Sequence, residues 1–266
     1  MTLYDALIAT IVHNYTSYLI LLGILTVLEI LVSRQRQTLR CRLNGVVIWA
    51  AYIPISVCIY KGLYALWDWL GITALLNFSL IRSLGWAGPV AIILAACCSA
   101  LVADFFLYWY HRAQHRLLWR FHAVHHSIRD LNAINSYHHV SEALFSGVLI
   151  ALPTTLIVVD YGPTVPVLVF LTSLQAVYLH SPTRLNAGPL RAMLGDNVWH
   201  RVHHSLDKAH FDKNFGVLTT FWDRVFGTAY FPRSDEWPAV GLVDQAPPGG
   251  LREWVMFPAR YSRKSL

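Results

Sequence analysis

Twelve of the thirteen histidines of this 266-residue chain fall between residues 111 and 210. His111 and His115 stand four apart, and the pattern His-x-x-His-His occurs twice, as His122, His125 and His126 and as His200, His203 and His204. On a helix, offsets of three and four put side chains on one face with Cβ atoms about 5–6 Å apart, so each set can aim its imidazoles at one ion or at two neighbouring ones. Imidazole-rich sets suit iron, zinc, copper or nickel, and exclude magnesium and calcium, which want oxygen ligands. A zinc peptidase helix carries Glu after its first His; here Arg112, Ala123 and Arg201 follow, so no general base is supplied. Eight imidazoles also exceed what one tetrahedral zinc can use, which points to two metals. His13 and His210 lack such partners and read as ordinary amphipathic residues.

The elements that position these sets are apolar. The chain is 55% hydrophobic and 14% charged with a mean hydropathy of +0.43, well below the charged fraction of about 25% in soluble domains. Apolar residues come in long blocks: Tyr15 to Val32, Val46 to Leu66, Pro89 to Tyr110, then two shorter ones, Ala143 to Val159 and Pro163 to Leu179. Asp160, Tyr161 and Gly162 separate the last two and predict a tight hairpin. The first block reads as a span and not a cleaved signal, because no Lys or Arg precedes it and no small-residue cleavage site follows before Arg34. The expected fold is therefore all-α and integral to a membrane. Four to five transmembrane or re-entrant helices carry a helical cap, which holds a histidine-rich two-metal site.

Arg34, Arg36, Arg40 and Arg42 crowd the loop after the first block, which predicts a cytoplasmic loop and puts the histidine sets on the same side. In a bacterium the membrane would be the inner one. The basic residues form no stripe, so the net charge of +6 does not suggest a nucleic-acid partner. Cys41, Cys58, Cys97 and Cys98 show no Cys-x-x-Cys spacing and read as buried small hydrophobes. Expected boundaries are 1–88 for N-terminal helices and loops, 89–232 for the catalytic part and 233–266 for a cytoplasmic tail.

Three histidine sets in this order resemble the fatty acid hydroxylase and sterol desaturase superfamily. The resemblance rests on Asp104 to His115, on Trp119 to Ser127, on His180, on Trp199 to Ser205, and on Asn214-Phe-Gly216 with Trp222-Asp223 through Gly227-Thr228, about half the chain. It implies that His111, His115, His122, His125, His126, His200, His203 and His204 hold two iron ions, and that His180 is a further ligand. Members often carry His-Pro-x-Glu after the second set; this chain reads His139-Val140-Ser141-Glu142, so His139 is the expected ligand there and His138 is left out. The implied activity is O₂-dependent attack on an unactivated C–H bond of a lipid. Rebound gives an alcohol and loss of a second hydrogen an alkene, and sub-ångström placement of the carbon decides between them; hydroxylation is the favoured outcome and desaturation the alternative.

Asp104 lies seven residues before His111, almost two turns, and is expected to accept an imidazole N–H on that face. No Gly-x-Gly-x-x-Gly follows a plausible strand, so electrons are expected from an external donor, a ferredoxin or a membrane reductase. Basic residues of the tail could form its docking surface. Two readings of other classes stay open: a non-catalytic membrane metal-binding scaffold, and a zinc-dependent membrane hydrolase.

Overall fold

The computed structural model describes residues 3–77, 88–158, 172–233 and 235–261. Two long helices lead. Helix α1 runs Leu3–Leu31 and α2 runs Leu39–Trp69, and both are long and apolar enough to cross a membrane. Thr38 starts α2, its side chain accepting from the Cys41 amide. The two pack along one side, where Leu21, Leu22 and Leu25 meet Ala133 and Val177, while Leu19 and Ile30 point outward. Glu29, the lone charge of the first block, is buried and paired with Arg42; it also accepts the Ala133 amide, which ties the helix ends to the 132–135 segment. Gly45 lets α2 approach that segment, since a Cβ there would lie 2.6 Å from the Ile134 carbonyl oxygen.

A short strand β1, Leu76–Asn77, pairs in parallel with β2, Ile157–Val158; with three isolated β-bridges this is all the β-pairing among the described residues. Helix α3, Gly88–Arg116, runs through the third apolar block and beyond it, so that its last turns carry His111 and His115. Helix α4, Trp119–His126, follows after a short break and holds the second set. The fourth block does not form one full span. It is a stretch from Glu142 to Thr155 made of α5 (Glu142–Ser146), a π-helical turn (Gly147–Ala151) and α6 (Leu152–Thr155). Fourteen helical residues reach roughly 21 Å, short of a bilayer core of about 30 Å. The expected hairpin at 160–162 lies outside the described residues, as does most of the fifth block, whose end forms helix α7 over 172–178.

Helix α8, Asn197–His203, carries the third set, α9 spans Phe221–Val225 and α10 spans Leu251–Arg260. The C-terminal part is no free tail. Trp254 and Phe257 of α10 are buried in a core with Ile48 of α2, Val124 of α4, Ile128, Leu131 and Tyr137. Cys58, Cys97 and Cys98 are exposed on the outer faces of α2 and α3, contrary to their expected burial. A small apolar thiol suits an outer face that lipid would cover.

Candidate metal centre

Three helix ends and one turn supply the imidazoles. His111 and His115 lie at the end of α3, His122, His125 and His126 on α4, His200 and His203 on α8 with His204 capping it, and His180 just after α7. Asp196 fixes the start of α8: its carboxylate accepts the Trp199 amide and two contacts from Arg191 Nε. The nine rings fall into two groups. His111, His115, His122, His126 and His203 form one, and His125, His180, His200 and His204 the other; within each, the candidate ligand atoms lie within 4.8 Å of one another.

The contacts inside each group run from Nε2 to Nε2. They are 3.2 Å for His111–His122 and His115–His203 and 3.1 Å for His126–His203, and 3.0 Å for His125–His180 and His180–His200. These are not ordinary hydrogen bonds. His125 and His180 each direct Nδ1 at a carbonyl, of Tyr137 and Ala176, so each donates there and presents a bare Nε2 lone pair to the other. Two lone pairs at 3.0 Å repel unless a cation lies between them. With metal–nitrogen bonds of about 2.1 Å, ligands at a right angle sit roughly 3.0 Å apart and at the tetrahedral angle roughly 3.4 Å apart, so the spacing suits imidazoles around shared ions.

Protonation state agrees with that role. Burial first, and neighbouring imidazoles second, hold His122, His125, His126, His200, His203 and His204 well below the usual histidine range, so the rings are neutral and able to ligate.

One loop orients most of the five-histidine group. His111 Nδ1 donates to the Phe215 carbonyl and His203 Nδ1 to the Lys213 carbonyl, both at 2.8 Å, and the Asp212 carboxylate lies 3.5 Å from His115 Nδ1. Asp212 and Asn214 both take left-handed backbone conformations, at φ 56° and 59°, which aspartate and asparagine tolerate better than most residues. The Asn214 side chain bonds the Trp199 and Tyr230 carbonyls and accepts the Tyr230 amide. Asp223 accepts the Phe215 and Gly216 amides and the Thr228 hydroxyl.

Asp104 is placed differently from its expected role. Its carboxylate accepts the Val217, Leu218 and Thr219 amides and the Thr219 hydroxyl, and makes no bond to His111. The backbone amides of the 217–219 turn reach that face of α3 and take the acceptor. Asp104 thus steadies the loop whose Phe215 carbonyl orients His111.

His139 is the second correction. Its Nε2 donates to the Val255 carbonyl of α10 and its Nδ1 accepts from Ser141, so neither nitrogen is left for an ion. Its neighbour His138 instead lies against the four-histidine group, stacked on His125 with ring centroids 3.9 Å apart and planes 14° from parallel. The other nine expected ligands are the nine that converge. Asp212, His138 and the loop carbonyls were not foreseen; the only sequence signal for Asp212 is its place two residues before Asn214-Phe-Gly216.

The fold and the site together are those of an all-α protein with two helices long and apolar enough to cross a membrane and two buried histidine clusters able to hold metal. The chain belongs to the fatty acid hydroxylase family, which it matches over residues 96–228. It is 30% identical over 172 residues to ornithine lipid hydroxylase OlsE of Rhizobium tropici, covering 62% of this chain and 51% of that protein. It is 32% identical over 150 residues to alkylglycerol monooxygenase of Homo sapiens, covering 54% of this chain and 32% of that one. A Delta(7)-sterol-C5(6)-desaturase of Nicotiana tabacum is 25% identical over 165 residues, covering 60% and 57%. The chain thus spans about half the length of the first of these relatives and a third of the second. No solved structure matches it.

Proposed function

We propose that this chain is a membrane di-iron oxygenase that hydroxylates a C–H bond of a lipid, using O₂ and electrons from an external ferredoxin or membrane reductase. The carrying observation is the convergence of nine neutral imidazoles, Nε2 inward, in two adjacent buried groups. His111, His115, His122, His126 and His203 would hold one ion, and His125, His180, His200 and His204 the other. Iron, when bound there, supplies the activation of O₂ that no amino-acid side chain can provide.

The chain's own residues do the rest. Carbonyls of Tyr137, Ala176, Lys213 and Phe215 fix ring orientation, so that Nε2 of each tethered imidazole is aimed before any ion arrives. Burial keeps the rings unprotonated. The arginine-rich loop after α1 is joined to the 182–184 segment beside His180, through the Arg34 amide to the Pro182 carbonyl and the Arg184 amide to the Val32 carbonyl. The centre and that basic loop therefore share one side of the molecule, which supports a cytoplasmic placement.

The relatives named for ornithine lipid and alkylglycerol support a polar glycerolipid or aminolipid as substrate class. The desaturase relative supports alkene formation as the second reading of the same site. Comparative lipid mass spectrometry of cells with the wild-type protein and with His203→Ala tests both: a product gaining one oxygen supports hydroxylation, one losing two hydrogens supports desaturation. Unchanged lipid modification by the variant, present in the membrane at normal level, would overturn the assignment and leave the scaffold reading. Metal analysis of the purified protein finding zinc alone would favour a hydrolase.

A further inference from the structure

The two histidine groups differ in what lies around them. His115, His126 and His203 of the five-histidine group line a cavity of about 480 Å³, whose walls also include Trp119, Leu206 and Val243. None of the four-histidine group lines it. Of that group His125, His200 and His204 are 1%, 3% and 0% exposed and His180 8%, and the His138 ring covers His125 face to face. The Asp212 carboxylate, which faces His115 Nδ1, stands on the cavity wall with 72% of its side chain exposed. One group therefore borders a space that small molecules can enter, and the other is packed on the sides seen here by protein.

We infer that the two metal positions differ in access: the ion of the five-histidine group exchanges through this cavity, whereas the ion of the four-histidine group leaves only when the surrounding chain opens. This rests on the two-ion reading proposed above. Exchange through a standing cavity requires no unfolding, while release from a packed site is gated by local opening, whose free energy rises with burial.

Metal release measures this without relying on turnover. The full-length protein in detergent, loaded anaerobically with ferrous iron, is exposed to excess EDTA, and iron per chain is followed over time by elemental mass spectrometry. The expected course has two phases of equal size, the first at least tenfold faster. His115→Ala, which breaks the five-histidine group, should retain one ion that leaves only in the slow phase. His200→Ala, which breaks the other group, should retain one that leaves in the fast phase. Val243→Trp, on the cavity wall and remote in sequence from every ligand, should slow the fast phase several-fold and leave the slow one unchanged. Two ions leaving at a single rate, or fast loss of the ion kept by His115→Ala, would overturn the inference and leave the two-ion reading intact. A wild-type protein that takes up only one ion would overturn both. The Val243→Trp arm decides the matter if either ligand variant fails to fold.

Discussion

Asp104 Oδ2 accepts both the amide and the hydroxyl of Thr219, so one carboxylate oxygen of α3 fastens the loop that follows the third histidine set. With Oδ1 on the Leu218 and Val217 amides, the side chain joins two segments more than a hundred residues apart. Asp104→Asn replaces one acceptor oxygen by an NH₂ group that faces donors. The expected cost is about 2–4 kcal/mol, from charge-assisted bonds lost and a buried donor left unpaired. Thermal unfolding in detergent checks this. Iron bound per chain should fall too, because the Phe215 carbonyl loses its support.

His139→Gln separates a ligand from a strut. The wild-type ring spends both nitrogens on Val255 and Ser141. The variant should keep the wild-type metal content and lose about 1 kcal/mol of stability. His125→Ala, fourteen residues earlier in the chain, should lose an ion. Equal metal loss in both variants would contradict the orientation of the His139 ring.

Glu142 gives a pH signature. Burial pushes its pKa up from 4.5 to about 7, only partly offset by hydrogen bonds such as that from Gln114 Nε2 at 2.8 Å. A carboxyl whose native pKa exceeds its unfolded one binds its proton more tightly when folded. The native state therefore loses stability as pH rises from about 4.5 through about 7, then no further. At 1.4 kcal/mol per unit the total is about 3 kcal/mol. Glu142→Gln should melt higher than wild type above pH 7, with the gap closing toward pH 5, as read from melting temperatures across a pH series. A gap that widens on acidification would show the opposite sign.

Gly216→Ala tests the loop from another direction. A Cβ at this position would lie 2.8 Å from the Asp223 carboxylate that holds the Phe215 and Gly216 amides. The clash should cost about 1–3 kcal/mol. Because Phe215 carries the His111 tether, the variant should also bind iron more weakly than a surface control such as Lys213→Ala, whose change leaves the backbone carbonyl in place.

Much of the centre was legible because helical periodicity acts through side-chain identity. His111 with His115, and the two His-x-x-His-His sets, had to share faces once helical, and they do. His138 and His139 lie in irregular chain, where facing depends on backbone angles that no spacing rule supplies, so which of the two lies against the histidine groups is not legible from sequence. The orienting loop was hidden for a different reason. Its tethers are carbonyls of Lys213 and Phe215, and every residue has a carbonyl. Asp104 was rightly placed on the face of His111, but that face also meets the 217–219 amides, which compete better. The fourth apolar block read as one short transmembrane or re-entrant helix because hydropathy does not register the π-helical turn at Gly147–Ala151 that interrupts it.

The five-histidine group draws on α3, α4 and α8, and the third of these lies far along the chain from the first two. During synthesis on the ribosome, His111 through His126 emerge well before His203, and the orienting carbonyls of Lys213 and Phe215 later still. Neither group can close before the third histidine set has emerged, so metal capture must wait for it. A translation product that stops before the third histidine set would reach the bilayer with its apolar helices formed and its donors unable to close around an ion.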